Sequence, residues 1–480
     1  MKDWMERLAY QYKKYRMIYP NDKLMIVFDI DGTILDMRFL ILHVLKEFDK
    51  NHGTSHFKDI RTSDIDFHED HISSLLDKLN IKQEDQEVIL SNYESLLISS
   101  TAVLEAHRPF RGVLDVIRWF QLQPNTYVGL NTGRPESLRF NTLNALNNLA
   151  KEYRVVFRDD LLFMKPDSPQ SEIIRSKCQG IEHFKNMGYR VFAMVDNEPE
   201  ILHAIHQANE EKDILLLHAD TIFKSQNTFI SGNVAKGKFY NLSKLITHRD
   251  LPKHIQFVWK WDYTNEGLEY FLNSPIHWVE LDLHRFQSHR YNKTNFNNSN
   301  SMLIKYISIL KEHNKCIKFD INEKIFFSEN IKNILEDCGI DHSNLWFHGD
   351  INDPGLEMFR ALRSMYPESI ISCPVDIISA YMGQYSLQAK EILSIFQGNG
   401  INRFSLNWRT HGKRLVFNML RQWRMEIDIY NTNNLESFLQ AALLLPNSIT
   451  MHIDFSANIH NKDMTYEPTN KTDDDMRKTA

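Results

Sequence analysis

Asp29 and Asp31 stand two residues apart, in Asp29-Ile30-Asp31-Gly32-Thr33, where the apolar run Leu24–Phe28 ends. Paired carboxylates at such a place can divide a phosphoryl transfer between them. Asp29 can attack phosphorus, while Asp31 serves as general acid for the leaving oxygen and then as general base for water. Gly32 permits a tight turn, after which backbone N–H groups can face phosphate oxygens. A bare pair of this kind also fits an Asx-type turn, so other segments must decide. Val128-Gly129-Leu130-Asn131-Thr132-Gly133-Arg134 ends a second strand in a hydroxyl residue, and Thr132 with Gly133 can hold a phosphoryl oxygen. Phe192–Glu200 ends a third strand in carboxylates, of which Asp196 and Glu200 can face a common magnesium ion, directly or through water. Two lysines, Lys165 and Lys177, lie between those strands. A carboxylate nucleophile and a phosphoryl group repel each other unless a cation sits between them.

A second set of carboxylates lies further along. Glu280 and Asp282 fall on one side of their strand because side chains alternate, and Asp320 and Asp350 follow two more strands. If those strands close into a barrel, their ends converge on one rim and can form a divalent-metal site. His284 and His289 follow the first pair and can do acid–base work. The competing reading makes the same carboxylates salt-bridge partners and helix caps.

The elements that must position these residues follow from periodicity. Leu24–Phe28, Thr126–Leu130, Arg190–Val195 and Ile214–Leu217 are short apolar runs, as buried parallel strands require. Helical segments Gly112–Gln121, Glu136–Leu149 and Ser171–Met187 separate them, which indicates a doubly wound α/β domain over 1–225. Residues from about 36 to 110 carry helical spacing and few strand signals, so they form an inserted cap. His68, Glu69 and His71 in this insert are expected at its surface. The polar, turn-prone stretch 226–252 reads as a linker. Eight strand candidates then follow between 253 and 460, most of them trailed by a helical segment, as in a (β/α)8 barrel. The tryptophans of this half, among them Trp259, Trp261, Trp278, Trp346, Trp408 and Trp423, are expected mainly in its core. Residues 461–480 are polar and charge-rich, and are expected to be a disordered tail.

With these motifs in order, residues 20–225 resemble the haloacid dehalogenase (HAD) superfamily of aspartate-nucleophile hydrolases. The resemblance rests on Asp29–Thr33, Leu130–Pro135 and Val195–Glu200. It implies a Rossmann-like core with a helical cap, Mg2+ dependence and an aspartyl-phosphate intermediate. It casts Asp29 as nucleophile, Asp31 as acid–base and backbone metal ligand, Thr132 as phosphate ligand and Asp196 as metal acid. Either Lys165 or Lys177 matches the family lysine, with Lys177 preferred. Asn197 replaces the second aspartate of the commoner last motif, which leaves Glu200 as the choice for the second metal acid. More weakly, residues 253–455 resemble a menorin-type domain of the glycerophosphodiesterase-like barrels. That match rests on short segments around Trp259, Glu280, Asp320, Asp350 and Cys373. Trp261 stands where the family pattern has a histidine and Asn322 where it has a lysine, so the barrel departs from the catalytic pattern.

The 480 residues, at about 150 per domain, allow two or three domains. Sparse glycine (17) and proline (14) exclude a collagenous or low-complexity chain. Acids exceed bases, 62 to 56, which argues against a bulk nucleic-acid binder while leaving a local basic groove open. Cys178, Cys316, Cys338 and Cys373 contain no CxxC pair, so neither a structural zinc site nor a disulfide framework is expected. No secretory signal or membrane span is visible, and a soluble, cytoplasmic protein is expected. The expectation is therefore a Mg2+-dependent phosphohydrolase of a small phosphorylated molecule. Its barrel is either a phosphodiesterase that makes the chain bifunctional or a non-catalytic binding module.

Overall fold

The computed structural model describes residues 3–452 except 69–70, 98–105, 168–171, 225–233, 247–250, 262–263, 284–295, 322–328, 353–354 and 433. The chain forms two compact units, Met1–Ile246 and Thr247–Ala480.

The first unit is built on a parallel sheet ordered β3-β2-β1-β4-β5-β6. Its strands are β1 (Lys23–Phe28), β2 (Thr126–Pro135), β3 (Leu162–Lys165), β4 (Tyr189–Asp196), β5 (Leu215–Ala219) and β6 (Val234–Gly237). β1 lies between β2 and β4, so three carboxyl ends lie side by side where the strand order changes direction. In open α/β sheets that point is where ligands bind. Apolar runs mark β1, β2, β4 and β5 in the sequence but neither β3 nor β6. β3 is four residues long, and β6, an edge strand, falls inside the stretch expected to be a linker. That stretch therefore belongs in part to the sheet, since β6 pairs with β5 from Val234 to Gly237. The turn-prone segments 225–228, 231–233 and 248–250, and the tail 461–480, lie outside the described residues.

Helix α1 (Trp4–Ile18) buries Trp4, Met5, Leu8, Tyr12 and Tyr15, the spacing of one helical face. Gly237 leaves room for it, because a Cβ there would come within 2.3 Å of the Trp4 indole. After β1 the chain enters the expected insert, with α2 (Met37–His52), α3 (Ser73–Lys78) and α4 (Gln83–Leu97). Asp36 caps α2 by accepting from the Arg38 amide, and Gly53 ends it in the left-handed region. Leu40, Val44, Phe57, Leu76 and Ile89 form a core of their own within the insert. Back in the sheet unit come α5 (Val113–Leu122), α6 (Arg139–Ala150), α7 (Ile173–Asn186), α8 (Pro199–Ala208) and α9 (Leu242–Leu245).

The second unit is a closed parallel barrel of eight strands that neighbour one another in chain order. They are β7 (Gln256–Lys260), β8 (Trp278–Asp282), β9 (Cys316–Asp320), β10 (Leu345–His348), β11 (Ile370–Pro374), β12 (Arg403–Asn407), β13 (Glu426–Thr432) and β14 (Ser448–His452). All eight coincide with strand candidates expected from the sequence. Val258, Trp278 and Trp346 form an apolar cluster in this unit. Trp259 and Trp408 are buried as well. Trp261 is 4% exposed and spends its indole N–H on Thr264 O.

Candidate functional site

Five groups of the first unit meet at the carboxyl ends of β1, β2 and β4. Asp29 follows the last residue of β1, Asp196 ends β4, and both are buried. Lys177, on α7, projects between them. Its Nζ lies 2.5 Å from Asp29 Oδ1 and 2.8 Å from Asp196 Oδ2, and the side chain is only 2% exposed. Of the two candidate lysines, Lys177 is the one that reaches these carboxylates. Lys165 instead ends β3, opposite Pro135 in the ladder.

Local packing explains why Lys177 arrives there. α7 buries Ser176, Lys177, Gly180, Ile181 and Phe184, a stripe at three- and four-residue spacing. Gly180 lets the helix press against β2, because a Cβ there would sit 2.5 Å from Asn131 Oδ1. Asn131 Nδ2 in turn donates to Lys177 O at 2.8 Å. Thr132 is 1% exposed beside it, and its hydroxyl accepts from the Arg134 amide at 3.2 Å. Gly133 is a close approach too, since a Cβ there would stand 3.1 Å from Ile173.

Asp31 is gripped by Arg134. Nε donates to Oδ2 at 2.7 Å and Nη2 to Oδ1 at 2.6 Å, a bidentate pair. Arg134 Nη2 also lies 3.1 Å from His107 Nε2, on the segment that returns from the insert. Neither Arg134 nor His107 was assigned a role from sequence. Arg134 follows Thr132 by two residues in the same strand-end motif, whereas nothing local marks His107.

The turn itself is braced from the last motif. Gly32 has φ +75°, and a Cβ there would fall 2.2 Å from Asn197 Nδ2. Asn197 Nδ2 donates to Ile222 O at 2.8 Å, so its amide supports the turn and the chain behind it. Thr221 donates to Gly32 O at 2.6 Å and Tyr240 to Thr33 O at 3.0 Å. Glu200, the expected second metal acid, is exposed in the first turn of α8. Pro199 starts that helix, which carries Glu200 outward, and Glu198 lies nearer. Its amide donates to Asp196 Oδ1 at 2.9 Å, and its carboxylate sits 3.6 Å from His68 Nε2 of the insert. His68 is thus half-buried against an acid and not at the surface, while His71 is exposed; Glu69 lies outside the described residues.

Charge is unbalanced here. Two buried carboxylates share one ammonium. Burial pushes the Asp29 carboxyl up to about 8; Lys177 opposes that rise, and Asp196 and Asp31 add to it. Asp196 is raised for the same first reason. Burial alone would lower Lys177, but Asp196 and Asp29 outweigh it and the ammonium is held above its ordinary range. Burial also works to raise Asp31, yet Arg134, by charge and hydrogen bond, brings it below the usual carboxylate range. The two aspartates of the first motif are therefore driven apart, Asp29 upward by burial for want of a second cation and Asp31 downward by Arg134.

In the barrel, Glu280 and Asp320 border one cavity, with Lys260, Lys318 and His348. Asp282 lies opposite Asp320 in the ladder but does not line that cavity. Asp350 is exposed and accepts from the Asn352 amide at 2.8 Å, a local turn. Burial raises Asp320 to about 6, and Glu280 and Asp282 add to that rise, so these three lie within reach of one another's charge; among the described residues, however, no three such groups are placed to hold a metal ion. His284, His289 and Asn322 lie outside the described residues.

No family model matches the chain, and no curated protein matches it. Solved structures do. One, from Agrobacterium tumefaciens and provisionally named a glycerophosphoryl diester phosphodiesterase, is 11% identical over 44% of this chain and 99% of its own, with a TM-score of 0.33. A HAD-superfamily hydrolase of subfamily IA from Geobacter sulfurreducens is 10% identical over 45% and 92%, with a TM-score of 0.29. A haloacid dehalogenase-like hydrolase, also provisionally named, from Burkholderia xenovorans is 13% identical over 46% and 96%, with a TM-score of 0.29. Each is a low-identity likeness to under half of this chain.

Proposed function

We propose that the first unit is a phosphohydrolase that cleaves a phosphomonoester through a phosphoaspartate on Asp29. The observation that carries this reading is the single Lys177 ammonium shared by Asp29 and Asp196 at the sheet's switch point. Lys177 screens the repulsion between the Asp29 carboxylate and an approaching phosphoryl group. The Asp29 oxygen attacks phosphorus, the bond to the leaving oxygen breaks, and Asp31 supplies the proton that oxygen needs. Asp31 then takes a proton from water, which attacks the acyl phosphate and frees Asp29. The Thr132 hydroxyl and the Gly133 amide hold phosphoryl oxygens.

Arg134 adds a condition to this cycle. It holds Asp31 as a carboxylate, which suits the base step and opposes the acid step. A phosphoryl dianion gives the guanidinium a second anionic partner, which loosens its grip on Asp31 and lets that carboxyl carry a proton.

The residues fit a magnesium ion. The unbalanced charge on two buried oxygen ligands matches a small hard cation that keeps several waters. Asp29, Asp196 and the Asp31 backbone carbonyl would hold it, and it would offset the negative charge of the phosphoryl group.

The test is turnover of p-nitrophenyl phosphate and a panel of phosphorylated metabolites with Mg2+. Asp29→Asn should abolish activity, while Asp31→Asn should slow it at least a hundredfold. Full activity in Asp29→Asn would overturn the mechanism.

A further inference from the structure

Arg134 is held both by the sheet unit and by the insert. On the sheet side, its Nε and Nη2 donate to Asp31, and Nη1 donates to Thr142 Oγ1 on α6 at 3.2 Å. Its amide donates to the Thr132 hydroxyl. On the insert side stands His107, with Nε2 3.1 Å from Nη2. A guanidinium only donates, so Nε2 accepts, and the ring is neutral with its proton on Nδ1. His107 is 1% exposed and the Arg134 side chain 9%, so water is no ready substitute for either partner.

The chain crosses between sheet unit and insert twice, and the two crossings are paired. The Asp36 amide donates to Arg108 O at 2.8 Å and the Phe110 amide to Ile34 O at 2.9 Å, with Leu35 opposite Pro109. The outgoing strand of this ribbon continues the turn that carries Asp31, since the Gly32 amide donates to Leu35 O at 2.9 Å. His107 is the first residue past the ribbon on the insert side, and its neighbour Ala106 packs in the core of the insert. Arg134 belongs to β2. Their contact therefore ties the insert to the sheet at the guanidinium that orients Asp31. A rotation of the insert about the ribbon would carry His107 off Nη2 and leave that N–H free to turn the guanidinium away from Asp31.

We propose that His107 is a positioning residue for the phosphoryl transfer. Seated by the insert, it fixes the plane of the Arg134 guanidinium and through it the Asp31 carboxyl, so that the acid–base group is set only while the insert is closed on the sheet. The inference rests on the phosphohydrolase reading of this unit. His107 acts through Arg134 and not on the substrate, whose phosphoryl oxygens go to Thr132 and Gly133 in that reading. A misplaced Asp31 slows the chemical step without weakening those contacts. The loss of His107 therefore appears in kcat and not in KM.

Steady-state kinetics of the full chain on p-nitrophenyl phosphate with Mg2+ test this. His107→Leu removes the acceptor and should lower kcat about tenfold, the worth of one hydrogen bond to a charged group, with KM changed less than about twofold. His107→Gln should keep most of the turnover, because its amide oxygen reaches as far as Nε2 and can accept from Arg134. His107→Asn, whose oxygen stops where Nδ1 does, should behave like His107→Leu. Added to Arg134→Gln, His107→Leu should cost no further turnover. Unchanged kcat in His107→Leu, a loss that falls on KM, equal activity in the glutamine and asparagine variants, or additive losses with Arg134→Gln would overturn the inference while leaving the phosphohydrolase reading in place. If His107→Leu fails to fold, the glutamine and asparagine variants decide between these outcomes, with their melting transitions as the check. A wild-type chain without Mg2+-dependent turnover of that ester or of the metabolite panel would instead sink the phosphohydrolase reading, and this inference with it.

Discussion

The chemistry of the first unit turns on one lysine and the two carboxylates it joins. Lys177 is fully buried, and so are Asp29 and Asp196. Above about pH 8, where Asp29 is ionised, removing the ammonium leaves both carboxylates without their cation, and broken buried pairs cost about 3–5 kcal/mol. Lys177→Met should therefore lose about that much in denaturant unfolding, and with it all turnover. Asp29→Asn combined with Lys177→Met should lose less than the two single losses together, because the first change removes one stranded charge. Additivity of the two would mean that the pair is not coupled. Arg134→Gln should shift the acid–base profile as well as the rate, since Arg134 keeps Asp31 below the usual carboxylate range. In kcat/KM, which reports the step where Asp31 is the acid, the alkaline limb should move to higher pH as Asp31 becomes easier to protonate. A profile that keeps its shape while falling in height would assign Arg134 to binding alone.

At the scale of elements, the site depends on how closely α7 and the turn after β1 can approach their neighbours. Gly180 sits where a methyl group would come within 2.5 Å of Asn131 Oδ1. Gly180→Ala should push α7 outward, cost about 1–3 kcal/mol, and move Lys177 away from Asp29. The expected kinetic signature is a fall in kcat larger than the change in KM. Gly32 is constrained twice, by φ +75° and by Asn197 at 2.2 Å from a Cβ. Here alanine should be worse tolerated than at Gly180, because the backbone as well as the side chain must shift. Periodicity marks α7 and β1 as elements. It says nothing of these two contacts, since a contact between residues far apart in sequence leaves no local pattern. β6 escapes it for a related reason. A short edge strand has little apolar run, and its pairing with β5 is what defines it.

At the scale of the whole chain, the two units carry charge in opposite ways. Glu280 is buried, which would raise it, yet Lys318 and Lys260 hold it down to about 2, against an ordinary 4.5. Its folded value lies below its unfolded one. The stability it contributes is therefore present above about 4.5 and is lost as pH falls towards 2, by about 3 kcal/mol. Asp29 runs the other way. Its folded value, about 8, lies above the ordinary 3.8. With no second cation bound, the folded state holds the extra proton across that window, so the contribution is present below about 4 and is lost as pH rises towards 8, whereas a bound magnesium ion would favour the carboxylate. Melting curves of the full chain in chelator should show both arms. Glu280→Gln should flatten the acid arm, and Asp29→Asn the arm between pH 4 and 8. An acid arm that survives Glu280→Gln unchanged would place the sensitive group elsewhere.

Hydrophobic periodicity and the residues that interrupt it were enough to say which central elements exist and which residues end them. Apolar runs placed the central strands of the sheet and all eight of the barrel, because burial on both faces leaves a continuous local signature. The sequence also placed Asp29, Asp31, Thr132 and Asp196 at strand ends, because those residues interrupt such runs. Tertiary structure alone decided the partners. It set Lys177 between Asp29 and Asp196, gave Asp31 to Arg134 with His107 beside that guanidinium, moved Glu200 outward, and paired Glu280 and Asp428 with Lys318. A lysine in a strand or helix looks the same in sequence whether it meets water or two buried carboxylates. Only the fold fixes which charges share a low-dielectric interior, and so which of them act together.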